Sequence, residues 1–262
     1  MKDTEQLKMY IKKLIVASRE AGDAILDVYD KDDLSISAKS DNSPLTQADL
    51  ASNKILCDAL KSLAPEIPII SEECDNSDYN IRKEWEYCWI VDPLDGTKEF
   101  IKRNGEFTTN VALVHNGKPI LGVVYAPVLD EMYYGGAGCG AYLEKMDKTQ
   151  TISATEYRSS DRNLKLVCSR SHLNEATQSF VDEYDHPELV ASGSSLKFLK
   201  IASGNAHIYP RLAPTMEWDT AAADAILTAA GGEVLDADTM KPLHYNKENL
   251  LNPHFVARAK LV

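Results

Sequence analysis

The tightest constraint on this chain lies between Trp89 and Phe100, where an apolar run ends abruptly in acid. Trp89-Ile90-Val91 reads as a buried strand and leads straight into Asp92-Pro93-Leu94-Asp95-Gly96-Thr97-Lys98-Glu99-Phe100. Pro93 fixes its own φ and blocks further ladder pairing at that point. Gly96 permits a tight turn and a close backbone approach. The two carboxylates could therefore converge on one point just past the strand end, with the Leu94 carbonyl between them. Oxygen-only ligands are what a hard cation such as Mg²⁺ prefers. The N–H groups of Gly96, Thr97 and Lys98 could cradle a phosphate, more so if a helix begins there. D-P-x-D-G is also simply a good turn, and the local residues leave both readings open.

Further acids bear on the choice. Ser71-Glu72-Glu73 follows the apolar Ile67-Pro68-Ile69-Ile70, so strand ends in one sheet can place Glu72 beside Asp92. A solvated acidic loop is the plainer alternative. Asp219, in Glu217-Trp218-Asp219-Thr220-Ala221-Ala222-Ala223, falls at an expected helix start, where Asp is also a good N-cap. The small Ala221–Ala223 would let that helix pack closely on a sheet. Thr46-Gln47-Ala48-Asp49 resembles a capping box, although Glu or Gln is the usual acid there. Four clustered acids would repel one another and hold raised pKa values. Two or three divalent ions would remove that conflict, and paired metals suit in-line phosphoryl displacement.

The rest of the chain supplies a scaffold. Leu7, Tyr10, Ile11, Leu14, Ile15, Ala21, Ile25 and Tyr29 follow the 3–4 spacing of a long amphipathic helix. Ser35–Lys39 alternates like a short strand, and Asp41–Pro44 is a turn cluster. A second helix is expected from Thr46 to about Leu63, before Pro65. Strands are expected at Ile67–Ser71 and Tyr87–Asp92. Thr108–His115 and Pro119–Tyr125 flank Asn116-Gly117, a strong hairpin signal. Glu131–Tyr134 and Ala141–Glu144 would extend that antiparallel sheet. Beyond about Lys145 strands and helices alternate: strands at Leu164–Ser169, Glu188–Ser192, Ala206–Tyr209 and His254–Arg258, helices at Asn174–Tyr184, Ser195–Ala202 and Asp219–Ala230. Such alternation implies a mostly parallel sheet covered on both faces. The expected organisation is an α+β half over residues 1–150 and an α/β half over 151–262, joined through a polar stretch, with a site between them.

Composition narrows the function classes. The 262 residues include 40 acidic and 28 basic side chains, a net charge of −12. That balance argues against duplex nucleic acid and anionic lipid as partners, but not against a small phosphorylated substrate, since bound metal can reverse the local sign. Met1–Tyr10 is charged and lacks the apolar run of a signal peptide, and no apolar run approaches the length of a membrane span. Five cysteines with no C-x-x-C pair read as free thiols in a reducing cytoplasm. The six histidines show no zinc spacing. Gly136–Gly140 lies between strands, and so reads as a bend rather than a dinucleotide site. Trp85 and Trp89 are expected in or near the core.

Taken together, Leu45–Asp49, Ile70–Glu73, Trp89–Phe100, Gly193–Phe198, Tyr209–Arg211 and Trp218–Ala222 resemble the inositol monophosphatase-like superfamily of Mg²⁺-dependent, lithium-sensitive phosphatases. The resemblance covers nearly the whole chain. D-P-L-D-G-T followed by W-D-T-A-A is a specific ordered pair. Lys98-Glu99-Phe100 and Ser194–Lys197 favour the bacterial 3′(2′),5′-bisphosphate nucleotidase branch. The resemblance implies a layered αβαβα sandwich of the inositol monophosphatase and fructose bisphosphatase type. It implies Glu72, Asp92, the Leu94 carbonyl, Asp95 and Asp219 as ligands for two or three Mg²⁺. Asp49, Glu72 and Thr97 are implied to align and deprotonate the attacking water. Glu72, Asp95, Gly96, Thr97, Lys98, Ser194, Lys197, Arg211 and Asp219 are implied substrate contacts, with His172 a further candidate. The implied reaction converts adenosine 3′,5′-bisphosphate to AMP and phosphate in the cytoplasm or at the inner membrane face, recycling a by-product of sulfate assimilation.

Three rivals remain at this level. Inositol or sugar phosphates are alternative substrates within the superfamily. A haloacid-dehalogenase-type phosphatase also places Asp before Gly-Thr, but there the aspartates stand two apart, not three. A silent metal- or phosphate-binding protein is disfavoured by the complete acid set. The sequence leaves the oligomeric state open.

Overall fold

The computed structural model describes residues 2–31, 37–38, 44–168 and 174–262. Helix α1 (Thr4–Tyr29) opens on Asp3, whose side chain accepts from Gln6 N at 2.8 Å. Its apolar stripe, Leu7, Tyr10, Ile11, Leu14, Ala21 and Ile25, is buried. The two-residue strands β1 (Ser37–Ala38) and β2 (Pro44–Leu45) pair antiparallel. Of the expected strand at Ser35–Lys39 only Ser37–Ala38 is described, and the Asp41–Ser43 turn lies outside the described residues. Helix α2 (Gln47–Leu63) follows as expected.

Seven strands then build one sheet in sequence order: β3 (Ile69–Ser71), β4 (Tyr87–Asp95), β5 (Thr108–His115), β6 (Lys118–Ala126), β7 (Glu131–Gly136), β8 (Gly140–Lys145) and β9 (Lys148–Thr151). All neighbours are antiparallel except β3 and β4. The expected Asn116-Gly117 turn joins β5 to β6. The short helices α3 (Tyr79–Arg82) and α4 (Thr97–Ile101) flank β4. The sheet continues through Thr151, into the stretch expected to link the two halves.

These strands read as unbroken apolar runs because both faces are covered. Trp89 and Val91 of β4, and Val111 and Leu113 of β5, pack with α1 and α2. Their alternating neighbours Cys88, Ile90, Ala112 and Val114 face the second half of the chain. The period-2 alternation thus splits one apolar run between two cores.

Beyond β10 (Glu156–Tyr157), the second half holds β11 (Lys165–Cys168), α5 (Glu175–Val181), β12 (Glu188–Ala191), α6 (Leu196–Ala202), β13 (Ile208–Arg211), α7 (Ala221–Ala229), β14 (Glu233–Asp236), β15 (Phe255–Arg258) and β16 (Lys260–Leu261). Five of these strands form a sheet of order β12-β11-β13-β15-β14. The expected mostly parallel sheet holds for four of its five strands, with β14 pointing the same way as β12, β11 and β13. β12, β11 and β13 run parallel, but β15 is antiparallel to both β13 and β14. No crossover helix separates β14 from β15, so β15 is free to reverse. Glu233–Asp236 had not been expected as a strand.

Helices α6 and α7 lie between the two sheets, giving the layered αβαβα sandwich. Phe198 of α6 stacks on Phe255 and meets Tyr209 edge-on, with centroids 5.6 and 5.2 Å apart. Gly122 on β6 marks how closely α7 approaches. A Cβ there would stand 2.0 Å from the Ala222 carbonyl oxygen, which only glycine avoids. Among the described residues no helix is long and apolar enough to cross a membrane.

Candidate active site

Strand β4 carries the acids past its own proline. Asp92 pairs with Asn110 of β5, the register then shifts, and pairing resumes at Asp95 opposite Thr108. The expectation that Pro93 ends the ladder is therefore corrected: the chain bulges over Pro93-Leu94 and rejoins β5. A bulge of this kind re-aims side chains locally. It turns both carboxylates toward one point, where they meet Asp219 from the second half. Asp92, Asp95 and Asp219 offer oxygens within 4.8 Å of one another.

Asp219 was expected at a helix start. It instead ends a 3₁₀ turn (Glu217–Asp219), and α7 begins at Ala221. Its Oδ2 accepts from Met216 N at 2.9 Å. The turn is held from below by the fully buried Glu217, which accepts from Asn246 N and Lys247 N at 2.6 and 3.0 Å and pairs with Lys247 Nζ.

Crowding shows in the electrostatics. Asp92 is 1% exposed, and burial, then the charges of Glu72, Asp95 and Asp219, raise its carboxyl well above the usual range, although Leu94 N donates to its Oδ1 at 3.0 Å. Asp219 is pushed up to about 8, by burial first and then by Asp95, with Arg211 opposing. Glu72 follows β3, its N–H donating to Val91 O at 3.3 Å. It stands near enough to be the strongest charge acting on Asp92, but the close trio is formed by the three aspartates. This oxygen-only, mutually repelling set fits a hard divalent cation.

Gly96 adopts φ +94° and caps α4, placing Thr97 as its first residue. Thr97 Oγ1 donates toward Asp49 Oδ1 and toward the Leu94 carbonyl, both at 3.5 Å. Asp49 resolves the ambiguity of its motif by doing both jobs. Its Oδ2 accepts from Thr46 N and Oγ1 at 2.8 and 2.6 Å, closing the capping box of α2. Its Oδ1 faces Thr97 from a position 1% exposed.

A cleft of about 210 Å³ opens beside the acids, lined among others by Gly96, Lys98, Ser194, Lys197, Arg211 and Asp219. Lys98 is exposed at its mouth. Lys197 is mostly buried, donates to Ser194 O at 2.8 Å and sits over the Tyr209 ring. Arg211 Nη2 donates to Pro214 O at 3.0 Å. His172 lies outside the described residues.

Three polar groups of the site had not been singled out: Thr108, Asn110 and Ser195. Asp95 Oδ2 accepts from Ser194 Oγ (2.6 Å), Ser195 N (2.7 Å), Ser195 Oγ (2.8 Å) and Asn110 Nδ2 (3.4 Å). Asn110 also donates to Ser195 Oγ at 2.9 Å, and Thr108 Oγ1 donates to Asn110 Oδ1 at 2.9 Å. Ser194, expected to contact nucleotide, therefore spends its hydroxyl on Asp95. One signal could have revealed the clamp: Thr108-Thr109-Asn110 are polar residues opening an otherwise buried apolar strand. Lys102 also lines the cleft, one turn beyond Lys98.

The model of the inositol monophosphatase family matches residues 6–261. The chain is 46% identical to the 3′(2′),5′-bisphosphate nucleotidase CysQ of Shigella flexneri over 240 residues, covering 91% of this chain and 95% of that one. It is 45% identical to the protein of the same name from Escherichia coli K12, with the same coverage. The crystal structure of CysQ from Bacteroides thetaiotaomicron superposes with a TM-score of 0.82 at 42% identity, over 96% of this chain and 97% of that one.

Proposed function

We propose that this chain, which belongs to the inositol monophosphatase family, is a 3′(2′),5′-bisphosphate nucleotidase that converts adenosine 3′,5′-bisphosphate to AMP and phosphate. The observation that carries this reading is the convergence of Asp92, Asp95 and Asp219 on a cleft that also presents Lys98, Lys197 and Arg211. Acids gather metal at one end, and cations face a second phosphate at the other.

Glu72, Asp92, the Leu94 carbonyl, Asp95 and Asp219 would hold two or three Mg²⁺. When bound, the ions supply Lewis-acid polarisation of the phosphoryl group and lower the pKa of a nearby water. The chain does the rest. Thr97 Oγ1, anchored on Asp49 and the Leu94 carbonyl, orients the water and passes its proton toward Asp49, with Glu72 on the other side. The Asp95 clamp fixes one carboxylate before substrate arrives, so little reorganisation is needed at reaction. The N–H groups of Gly96, Thr97 and Lys98 at the head of α4 meet the 3′-phosphate. Lys197 and Arg211 bind the 5′-phosphate, Arg211 as a planar fork suited to it.

Asp92, buried and hydrogen-bonded by Leu94 N, is poorly placed to attack phosphorus, which disfavours a phosphoaspartate route. We assign metal binding to residues 1–150, and Asp219 and the nucleotide contacts to 151–262. We place the reaction in the cytoplasm, with Li⁺ inhibiting by replacing one Mg²⁺.

Phosphate release should be measured from adenosine 3′,5′-bisphosphate, its 2′,5′ isomer, inositol 1-phosphate and fructose 1,6-bisphosphate, with Mg²⁺ and with added Li⁺. The reading expects the adenosine bisphosphates to be preferred and Li⁺ to inhibit. Preference for inositol 1-phosphate or the sugar would overturn the substrate assignment.

A further inference from the structure

Away from the acidic centre, two of the five free cysteines meet. Cys57 on α2 is buried, Cys74 in the loop after β3 is exposed, and both line one shallow pocket with Lys61 and Ile69. One carboxamide bridges them. Cys57 Sγ donates to Asn53 Oδ1 at 3.3 Å, and Asn53 Nδ2 donates to Cys74 Sγ at 3.5 Å. The same Oδ1 accepts from Ser71 Oγ at 2.7 Å. The other three cysteines, Cys88, Cys139 and Cys168, are buried.

We propose that Cys57 and Cys74 form a thiol–disulfide modification site, oxidised by a small disulfide such as oxidised glutathione, and that closing the bond moves the loop that carries Glu72. The exposed Cys74 attacks one sulfur of glutathione disulfide, forming a mixed disulfide and releasing one glutathione. Cys57 then attacks the Cys74 sulfur and releases the second glutathione. Two protein thiols are oxidised to one disulfide, one glutathione disulfide is reduced to two thiols, and both thiol protons end on glutathione. Burial, then the neighbouring Cys74, pushes Cys57 up to about 12, which leaves the exposed partner as the point of entry.

A disulfide spans only about 2 Å between sulfurs, and forming it consumes the Cys57 proton that Asn53 Oδ1 accepts, so the Asn53 bridge is lost and Cys74 is tied to α2. The Cys74 loop is bonded to itself. Cys74 N donates to Ser71 O at 3.3 Å, and Asn76 bonds both Ser71 N and Ser71 O at 3.0 and 2.9 Å. Glu72 lies inside it. Disulfide formation needs nothing from the proposed function; its effect on hydrolysis rests on the role given there to Glu72.

The reduced, full-length protein is incubated with glutathione disulfide, alkylated and mapped without reduction, and phosphate release from adenosine 3′,5′-bisphosphate is followed alongside. The expected result is a Cys57–Cys74 cross-linked peptide, three alkylated thiols in place of five, and a fall in phosphate release of about tenfold or more, the scale on which groups behind metal ligands act. Dithiothreitol reverses both. Cys57→Ser stops at a glutathione adduct on Cys74, and Cys74→Ser gives no cross-link. A stable adduct on Cys74 of the unmutated protein, or five thiols remaining, overturns the site. A cross-link that leaves phosphate release unchanged overturns its link to Glu72. Absence of turnover in the reduced protein counts against the nucleotidase reading alone, because the peptide map needs no turnover.

Discussion

Removing divalent metal should make the fold progressively less stable as pH rises. Without a cation, burial and the Asp95 charge push Asp219 up to about 8, and burial with the Glu72 charge raises Asp92 well above its ordinary value. An unfolded aspartate titrates near ~3.9. Between those values the folded chain binds more protons than the unfolded chain, so stability falls as pH climbs toward 8. Each pH unit in that window costs at most about 1.4 kcal/mol per group, so from about pH 5 to about pH 8 Asp219 sets a ceiling of roughly 4 kcal/mol. Its carboxylate opens on the cleft, and solvent screening reduces that to roughly 2 kcal/mol. For a chain of this size the loss is about 4–8 °C in Tm. Mg²⁺ favours the ionised acids and removes the penalty. Asp224 on α7, raised by burial to about 7, gives a slope of the same sign but lies outside the trio, so it cancels between metal-bound and metal-free protein. Melting curves with Mg²⁺ and with EDTA should therefore diverge with pH, the Mg²⁺-induced rise in Tm being about 4–8 °C larger near pH 8 than near pH 5. A rise that is equal at both ends, or larger in acid, would refute the reasoning.

Asn110→Ala removes the strut between β5 and the Asp95 clamp; the Mg²⁺ concentration for half-maximal rate should climb about 10–100-fold, and an unchanged Mg²⁺ titration would count against the clamp. Thr97→Val should lower kcat about 10²–10⁴-fold while Thr97→Ser keeps most of it; equal losses in the two variants would remove the hydroxyl from the mechanism. Gly122→Ala drives a methyl into the Ala222 carbonyl and should cost about 3 kcal/mol or more, or about 6–12 °C in Tm, measured by calorimetry; a Tm within a degree or so of the unmutated protein's would show that α7 can yield.

What could be read from the sequence was what is local along it. Asp92, Asp95 and Gly96 are legible because an apolar strand, a proline and a glycine occupy consecutive positions. The α1 stripe and the Asn116-Gly117 hairpin are legible for the same reason. Asp49 showed its cap to the sequence, but its second oxygen meets Thr97 only in the folded chain. The Ser194–Ser195 clamp on Asp95 joins positions about a hundred residues apart, and no periodicity announces such a contact. Strand direction was likewise hidden. Phe255–Arg258 has the apolar pattern of a buried strand whichever way it runs, so the antiparallel end of the second sheet had to come from the structure. The bulge over Pro93-Leu94 is subtler, because proline does forbid a ladder bond there and only the register shift lets pairing resume at Asp95.

Clustered aspartates on β4 and the 3₁₀ turn before α7 underlie the metal-dependent bisphosphate nucleotidase activity proposed for this chain. Its most direct test is chromatography of the products formed from adenosine 3′,5′-bisphosphate by the unmutated protein and by Asp95→Asn, each with Mg²⁺ and with EDTA. Adenosine 5′-monophosphate and phosphate are expected from the unmutated protein with Mg²⁺, and no turnover in the other three reactions. Near-normal turnover by Asp95→Asn at saturating Mg²⁺, turnover in EDTA, or release of the 5′-phosphate would contradict it.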